Sequence, residues 1–304
     1  FQIPKNLKKI IQEFNPDYVF TDRVGFFSSC ILKLKIPLII FLRGDYWNEV
    51  KSAKEISNLS LTEKFNLKSK QKIAETCFKN ARLILPICNY LKKIVDKRYP
   101  NQSTYVLYQG IDSKEWFFEN REELQHPCVG IIQDANVWEK TKEMLILPEI
   151  LEKIPNVNFY WAGDGQYAKK IVSELEGFTN FHWLGRFKFP NEVREIFNQI
   201  DIYALVSGLD MSPHTILEAG IMKKPVLATD VGGISELIKN NETGILIKKN
   251  DSEDWIKNIN ELINSSEKRN QIGDAGYRLV EKEFSWVKIA QDFVDILKKE
   301  GIQL

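Results

Sequence analysis

A chain of 304 residues, 43% hydrophobic and 27% charged, is long enough for two domains with cores of their own and has the composition of an ordinary globular protein. No apolar run approaches the roughly 18 residues that span a bilayer, and the first residues do not form a signal peptide, so a cytoplasmic protein is expected, with the inner face of the membrane as a peripheral station. The net charge of +1 conceals an asymmetry: residues 1–125 hold 21 Lys and Arg against 14 Asp and Glu, the remainder 21 against 27.

The basic front half has two readings. It meets an anionic lipid surface or a phosphorylated acceptor, or it is a solvated Lys-rich face; no nucleic-acid partner is expected. Cys30, Cys77, Cys88 and Cys128 form no Cys-x-x-Cys pair, and His126, His182 and His214 make no ligand spacing with them. Reduced structural thiols and no metal site follow.

Leu7 to Phe14 carries apolar residues at helical spacing and runs through Asn15-Pro16-Asp17 into a strand, Tyr18 to Thr21. Phe26 to Leu34 is helical, and Leu38 to Leu42 is a buried strand ending at Arg43-Gly44-Asp45-Tyr46-Trp47. Polar and aromatic residues directly after a buried strand stand where open α/β sheets bind ligands. Arg43 either binds phosphate or a carboxylated sugar or pairs with Asp45 or Glu49. Leu61 to Asn80 interleaves lysines with Phe65, Ile73, Cys77 and Phe78, a basic amphipathic helix that lies on an anionic membrane or covers a sheet. Ala81 to Pro86 is a strand, Cys88 opens a helix, and Tyr105 to Asp112 is the next unit. Ser113 to Pro127 is charged and reads as the linker.

A second series of strands begins at Cys128–Ile132 and continues with Asn158–Ala162, Phe181–Leu184 and Ile202–Val206. Gly163-Asp164-Gly165 lacks the later glycine and acid of a dinucleotide fingerprint, which argues against a nicotinamide enzyme. Leu205 to Glu236 is the stretch densest in chemistry. Its loop delivers Asp210 to the carboxyl end of a strand, and a helix starting near His214 carries Glu218 about one turn in. The first-turn N–H groups of Thr215 and Ile216 favour phosphate. Pro225 to Thr229 is the next buried strand, and Gly232-Gly233 is expected to open a helix with Ser235 and Glu236 in its first turn. His214 stands between the two acids, serving either the helix start or a donor phosphate. Asp251 to Ile263 and Trp286 to Lys299 complete the helices.

These residues resemble the signature of glycosyltransferase family 4, the glycosyl transferases group 1, which are retaining enzymes of GT-B fold: two Rossmann-like βαβ domains facing across a cleft. The likeness rests on Asp210-Met211-Ser212-Pro213, Glu218-Ala219, Lys224-Pro225-Val226 and Gly232-Gly233-x-x-Glu236, and Tyr105 to Asp112 is similar to the strand and turn that close the family's first domain. It implies that Asp210 contacts the donor sugar and Glu218 the nucleotide ribose, the two residues assigned to catalysis. Lys140, Gly163, Gly185, Arg186, Ser212, His214, Thr215, Ile216, Gly232, Gly233 and Glu236 are the implied donor-binding set, and Arg43 and Asp45 the contribution of the first domain. The chain departs from the family at four places, one of them Asp210, which stands for a glutamate. Arg43 stands for a histidine, Thr141 for the glycine after the clamp lysine Lys140, and Gln133-Asp134 for a Gly-Arg whose arginine holds the diphosphate. A carboxylate beside a diphosphate is repulsive.

The implied organisation is residues 1–123 as an acceptor-side domain, 124–285 as the nucleotide-sugar domain, and 286–304 as a helix crossing back to the first. Residue 1 falls in a helix, whereas such first domains open with a strand and a glycine-rich loop, so the N-terminal domain is expected to be truncated or small. No Asp-x-Asp occurs in the chain, which disfavours metal-dependent GT-A chemistry. The expected activity is metal-independent, retaining transfer of a hexose from a nucleotide-diphosphate sugar to a glycan or lipid-linked acceptor, with the nucleotide sugar as substrate and no cofactor. The alternatives are a non-catalytic homologue that binds or stabilises a partner, and a sugar-nucleotide epimerase.

Overall fold

Strands that are apolar along their whole length pair well only where both faces are covered, and here every pair of named strands is parallel, with α-helices in every crossover but the last, from Thr229 to Ile245. The computed structural model describes residues 2–55, 60–119 and 124–302. Two compact units divide the chain, 1–108 and 109–304.

In the first unit α1 (Lys5–Phe14), β1 (Val19–Thr21), α2 (Phe26–Lys33), β2 (Leu38–Leu42), α3 (Tyr46–Glu55), α4 (Leu61–Asn80), β3 (Leu83–Pro86) and α5 (Asn89–Arg98) build a three-stranded sheet of order β1-β2-β3. Leu38, Ile39, Ile40, Leu83, Ile84 and Leu85 are wholly buried. Ser60 and Glu63 cap α4 reciprocally. Its second half buries Ala74, Cys77 and Phe78, while Leu61 and Phe65 in its first half stay 85% and 73% exposed. The strand that the family likeness implies within Tyr105 to Asp112 is not formed. The segment only follows β3, through an isolated Ile84–Thr104 bridge, Tyr105 N–H to the Ile84 carbonyl and Leu107 N–H to that of Pro86.

The second unit holds β4 (Cys128–Ile132), α6 (Trp138–Thr141), α7 (Leu147–Lys153), β5 (Asn158–Ala162), α8 (Ala168–Leu175), β6 (Phe181–Gly185), α9 (Asn191–Gln199), β7 (Ile202–Leu205), α10 (His214–Ile221), β8 (Val226–Thr229), β9 (Ile245–Ile247), α11 (Ser252–Asn264), α12 (Ser266–Glu283) and α13 (Trp286–Lys299). Its six strands run in the order β6-β5-β4-β7-β8-β9. The chain starts at the centre, steps outward to β6, and returns to place β7 against the other side of β4. Right-handed crossovers in opposite directions put helices on opposite faces, which leaves a gap above the carboxyl tips of β4 and β7. Val129, Ile131, Phe159, Trp161, Ile202 and Trp255 centre the core. Among the described residues no helix is long and apolar enough to cross a membrane.

Three features were not expected from the sequence. Residues 113–119 are no loose tether: they belong to the second unit, with Arg194 donating to the Glu115 carbonyl at 2.9 Å and its guanidinium 3.7 Å from the centre of the Phe117 ring. Gly232-Gly233 opens a single 3-10 turn, Ile234–Glu236, rather than a helix. The chain must turn back to β9 within a few residues, and Ile234, Leu237 and Ile238 are all drawn into the core. The 18-residue α12 packs on α10 through glycines, since a Cβ at Gly220 would meet Val280 at 2.6 Å.

Two substitutions test this frame. Asn180 is buried and directs its amide at the carbonyls of Leu151, Ile154 and Val157 at 3.1–3.4 Å. Asn180→Ala strands these acceptors and should lower the urea unfolding free energy by about 1–3 kcal/mol. Gly232 has φ +60°, and a Cβ there would lie 1.9 Å from the Asp210 carbonyl oxygen. Gly232→Ala should cost about 2 kcal/mol or more in the same measurement.

Candidate active site

The loop after β7 threads between the tips of its neighbours. Gln133, the residue after β4, donates through Nε2 to the Val206 carbonyl at 3.1 Å. Gly208 N–H binds the Lys140 carbonyl at 2.9 Å, and Lys249 Nζ reaches the Gly208 carbonyl at 3.2 Å. Asp210 follows and is 9% exposed. Its Oδ1 accepts the Met211 N–H at 2.8 Å and its Oδ2 the Lys140 ammonium at 2.8 Å. From the β8 side, Gly233 N–H holds the Asp210 carbonyl at 2.9 Å. The carboxylate is thus held by its own loop and by the lysine of α6, and the backbone of the same residue by the glycine turn after β8. Burial of a charge is tolerable here because the lysine meets it directly.

Pro213 precedes α10 and supplies no side-chain cap. Of the first-turn amides, that of Ile216 reaches the Pro213 carbonyl at 3.2 Å. Thr215 Oγ1 accepts the Tyr203 hydroxyl at 2.5 Å, and burial pushes that phenol well above the ordinary tyrosine range. Glu218 is 3% exposed, and its Oε1 lies 2.9 Å from Nδ1 of His214, one turn earlier on the same helix face. His214 Nε2 lies 3.0 Å from the Gly110 carbonyl oxygen.

Lys140, Asp210 and Gly233 are therefore joined by hydrogen bonds after β4, β7 and β8, Gly232 lies against the Asp210 carbonyl, and His214 and Glu218 pair on α10, with Ser212 and Thr215 in the same loop and helix start. Gly163, Gly185 and Arg186 stand at the neighbouring tips of β5 and β6. Gly163 N–H binds the Gly185 carbonyl at 2.8 Å, Gly185 takes φ +75°, and Arg186 is exposed. Asp134 is exposed, with Asn136 Nδ2 at 3.4 Å. Glu236 is half-buried in the 3-10 turn. In the first unit Arg43 follows β2 with its guanidinium 3.9 Å from Asp22, an acid outside the pair considered from the sequence. Asp45 accepts the Asn48 N–H at 3.1 Å and so caps the start of α3. Sequence reasoning named Gln133 only as a departure at the diphosphate clamp, and it missed Lys249. Gln133 carried the signal used for Arg43, a polar residue directly after a buried strand; Lys249 carried none.

His182 stacks on Tyr160 with centroids 4.6 Å apart and lies 3.2 Å from Asn158 Oδ1. At the opposite, amino edge of the same sheet the structure assembles a group that the sequence spacing did not suggest: His126, Cys128 and Asp201, with candidate ligand atoms within 4.8 Å of one another. Asp201 Oδ2 is already shared by His126 Nδ1 and the Cys128 N–H, each at 2.8 Å. Burial pushes the Cys128 thiol up to about 12. Burial also holds the nearby Lys224 ammonium below the usual lysine range, against the pull of Asp201 and Cys128.

Residues 113–279 match the family described as glycosyl transferases group 1. An uncharacterized glycosyltransferase of Methanocaldococcus jannaschii is 29% identical over 211 residues, 69% of this chain and 57% of that protein; the chain thus spans little more than half of that relative's length. Among solved structures, HepE of Anabaena in complex with UDP superposes with a TM-score of 0.74 at 18% identity, covering 96% of this chain and 82% of that one. A glycosyltransferase from Rickettsia africae gives 0.72 at 20% identity, covering 97% and 80%. At such identities the likeness is one of fold, and the fold class is GT-B, with parallel α/β units. The family match takes in more than half of the sequence, the Lys140–Asp210 pair and Glu218 included, and the chain belongs to the glycosyl transferases group 1.

Proposed function

We propose that the chain transfers a hexose from a nucleotide-diphosphate sugar to a glycan or lipid-linked acceptor, with retention of configuration and without a metal. The observation that supports this reading is the 2.8 Å pair of Lys140 and Asp210, which joins the connection after β4 to the loop after β7 just before α10. Glu218 offers carboxylate oxygen to the ribose diol. Lys140 and the amides at the start of α10 offset the charge of the diphosphate. In the ligand-free chain Lys140 and Asp210 neutralise each other; a bound diphosphate competes for the ammonium and releases Asp210 to sugar hydroxyls. Bond formation between the acceptor oxygen and the anomeric carbon accompanies cleavage of the bond to the diphosphate, whose oxygen takes the acceptor proton. The UDP bound by HepE makes uridine nucleotides the first ligands to test.

Lys140→Met should weaken UDP about tenfold or more while changing UMP little, since one charged contact to the outer phosphate is lost. Asp210→Asn should lower transfer or donor hydrolysis about a hundredfold with UDP affinity nearly intact. Calorimetry and product analysis check both. Unchanged turnover in Asp210→Ala and Glu218→Ala would sink the assignment. A second reading, a binding or stabilising homologue without catalysis, draws on the exposed carboxylate of Asp134 at the β4 tip. UDP, GDP and ADP all failing to bind at millimolar concentration would favour it.

The anionic lipid surface is proposed as a partner on separate grounds. Leu61 and Phe65 are exposed on the first half of α4, and Lys64, Lys68 and Lys72 stand beside them in the solvent. The chain should sediment with vesicles containing phosphatidylglycerol, with binding weakened by salt and lost in Phe65→Asp. Equal binding to neutral vesicles would contradict this partner.

A further inference from the structure

We infer that His214 is the positioning residue for the Glu218 carboxylate, deciding which of its oxygens is left for the nucleotide ribose; this deepens the donor assignment above and rests on it. The imidazole lies between two oxygens, Glu218 Oε1 at 2.9 Å and the Gly110 carbonyl at 3.0 Å. A carbonyl only accepts, so Nε2 carries a hydrogen. Nδ1 then faces a carboxylate oxygen, and that contact needs one more proton, whether it resides on the ring or on Oε1. Either way Oε1 is committed to the ring and Oε2 is left as the acceptor for a ligand. The shared proton also reduces the charge that a polyanionic donor meets at a side chain only 3% exposed.

The ring is held from behind. Ile111 N–H binds the Phe284 carbonyl at 2.9 Å and Trp286 N–H the Ile111 carbonyl at 3.4 Å, which ties the Gly110 segment to the start of α13. The Trp286 side chain covers Gly110 so closely that a Cβ there would meet it at 2.8 Å. A relay of rigid contacts therefore runs from α13 through Gly110 and His214 to Glu218. His214 acts through the carboxylate, since both of its nitrogens are engaged within the chain.

The experiment compares UDP with 2′-deoxy-UDP by calorimetry, because only the ribose hydroxyls report on Glu218. Wild type should prefer UDP by about tenfold or more. His214→Ala should bring the two ligands within about threefold of each other, as Glu218→Ala does, and the double variant should be no worse than either single one. His214→Gln, which keeps an N–H donor near Glu218, should restore most of the preference. Gly110→Ala, which disturbs the relay without touching the ring, should lower it. Nitrogen NMR of the ligand-free protein should find Nε2 protonated and Nδ1 hydrogen-bonded in wild type. A full preference for UDP in His214→Ala, or losses that add to those of Glu218→Ala, would overturn the role of His214. A wild type that shows the NMR signature yet binds both nucleotides equally would instead overturn the ribose assignment, and one that binds neither would overturn the donor reading with it.

Discussion

Between β4 and β7 the crossovers change direction, and everything chemical in the second unit depends on that reversal. A helix after β4 covers one face of the sheet and a helix after β7 the other. The two strand tips are therefore neighbours with open space above them. Lys140 comes from the connection after β4 and Asp210 from the loop after β7, 70 residues apart in the chain and 2.8 Å apart in space. Glu218 lies about one turn into α10, the helix that follows the same loop.

Two carboxylates at such a place would be expensive if left unpaired, given that Asp210 is 9% and Glu218 3% exposed. Each is instead met by a nitrogen: Asp210 by Lys140 and Glu218 by His214. In the proposed function a donor takes Lys140 from Asp210 through its phosphate oxygens, which only accept, and sugar hydroxyls meet the freed carboxylate, while His214 keeps its hold on Glu218. The carboxylate of Asp134 stands in solvent, free of the Lys140 pair, so its repulsion toward an anion is softened by screening.

Backbone proximity does as much as charge. Asp210 is held from the β8 side by a glycine turn that no other residue could form, since Gly232 has φ +60° and its α-carbon lies against the Asp210 carbonyl. Behind the site, α10 is seated on α12 at a distance that glycine allows. A Cβ at Gly273 would lie 2.1 Å from the Lys223 carbonyl just past the end of α10. The helix that carries Glu218 therefore has little freedom to shift.

Much of this was legible in the residues alone. The buried strands are continuous apolar runs, and Asp210, Glu218 and Gly232-Gly233 fall within one contiguous stretch, so their types, spacing and family likeness could be read directly. Periodicity failed at α12, whose buried face is built from Gly273, Gly276, Ile272 and Val280 and so lacks the bulky stripe that marks a packed helix. It failed again at the turn after Gly232, where the need to reach β9 overrode the expected helix. The partners of the site were beyond any local signal: Gln133 is 73 residues from Val206, Lys249 is 41 from Gly208, and Gly110 is 104 from His214. The amino-acid sequence by itself determined the alternation of strands and helices and the acids at the strand ends, because propensity and burial patterns act over a few residues. Which strand tips became neighbours, and hence which lysine meets Asp210 and which carbonyl holds His214, was decided only by the tertiary structure, through the handedness of the crossovers and the burial of both sheet faces.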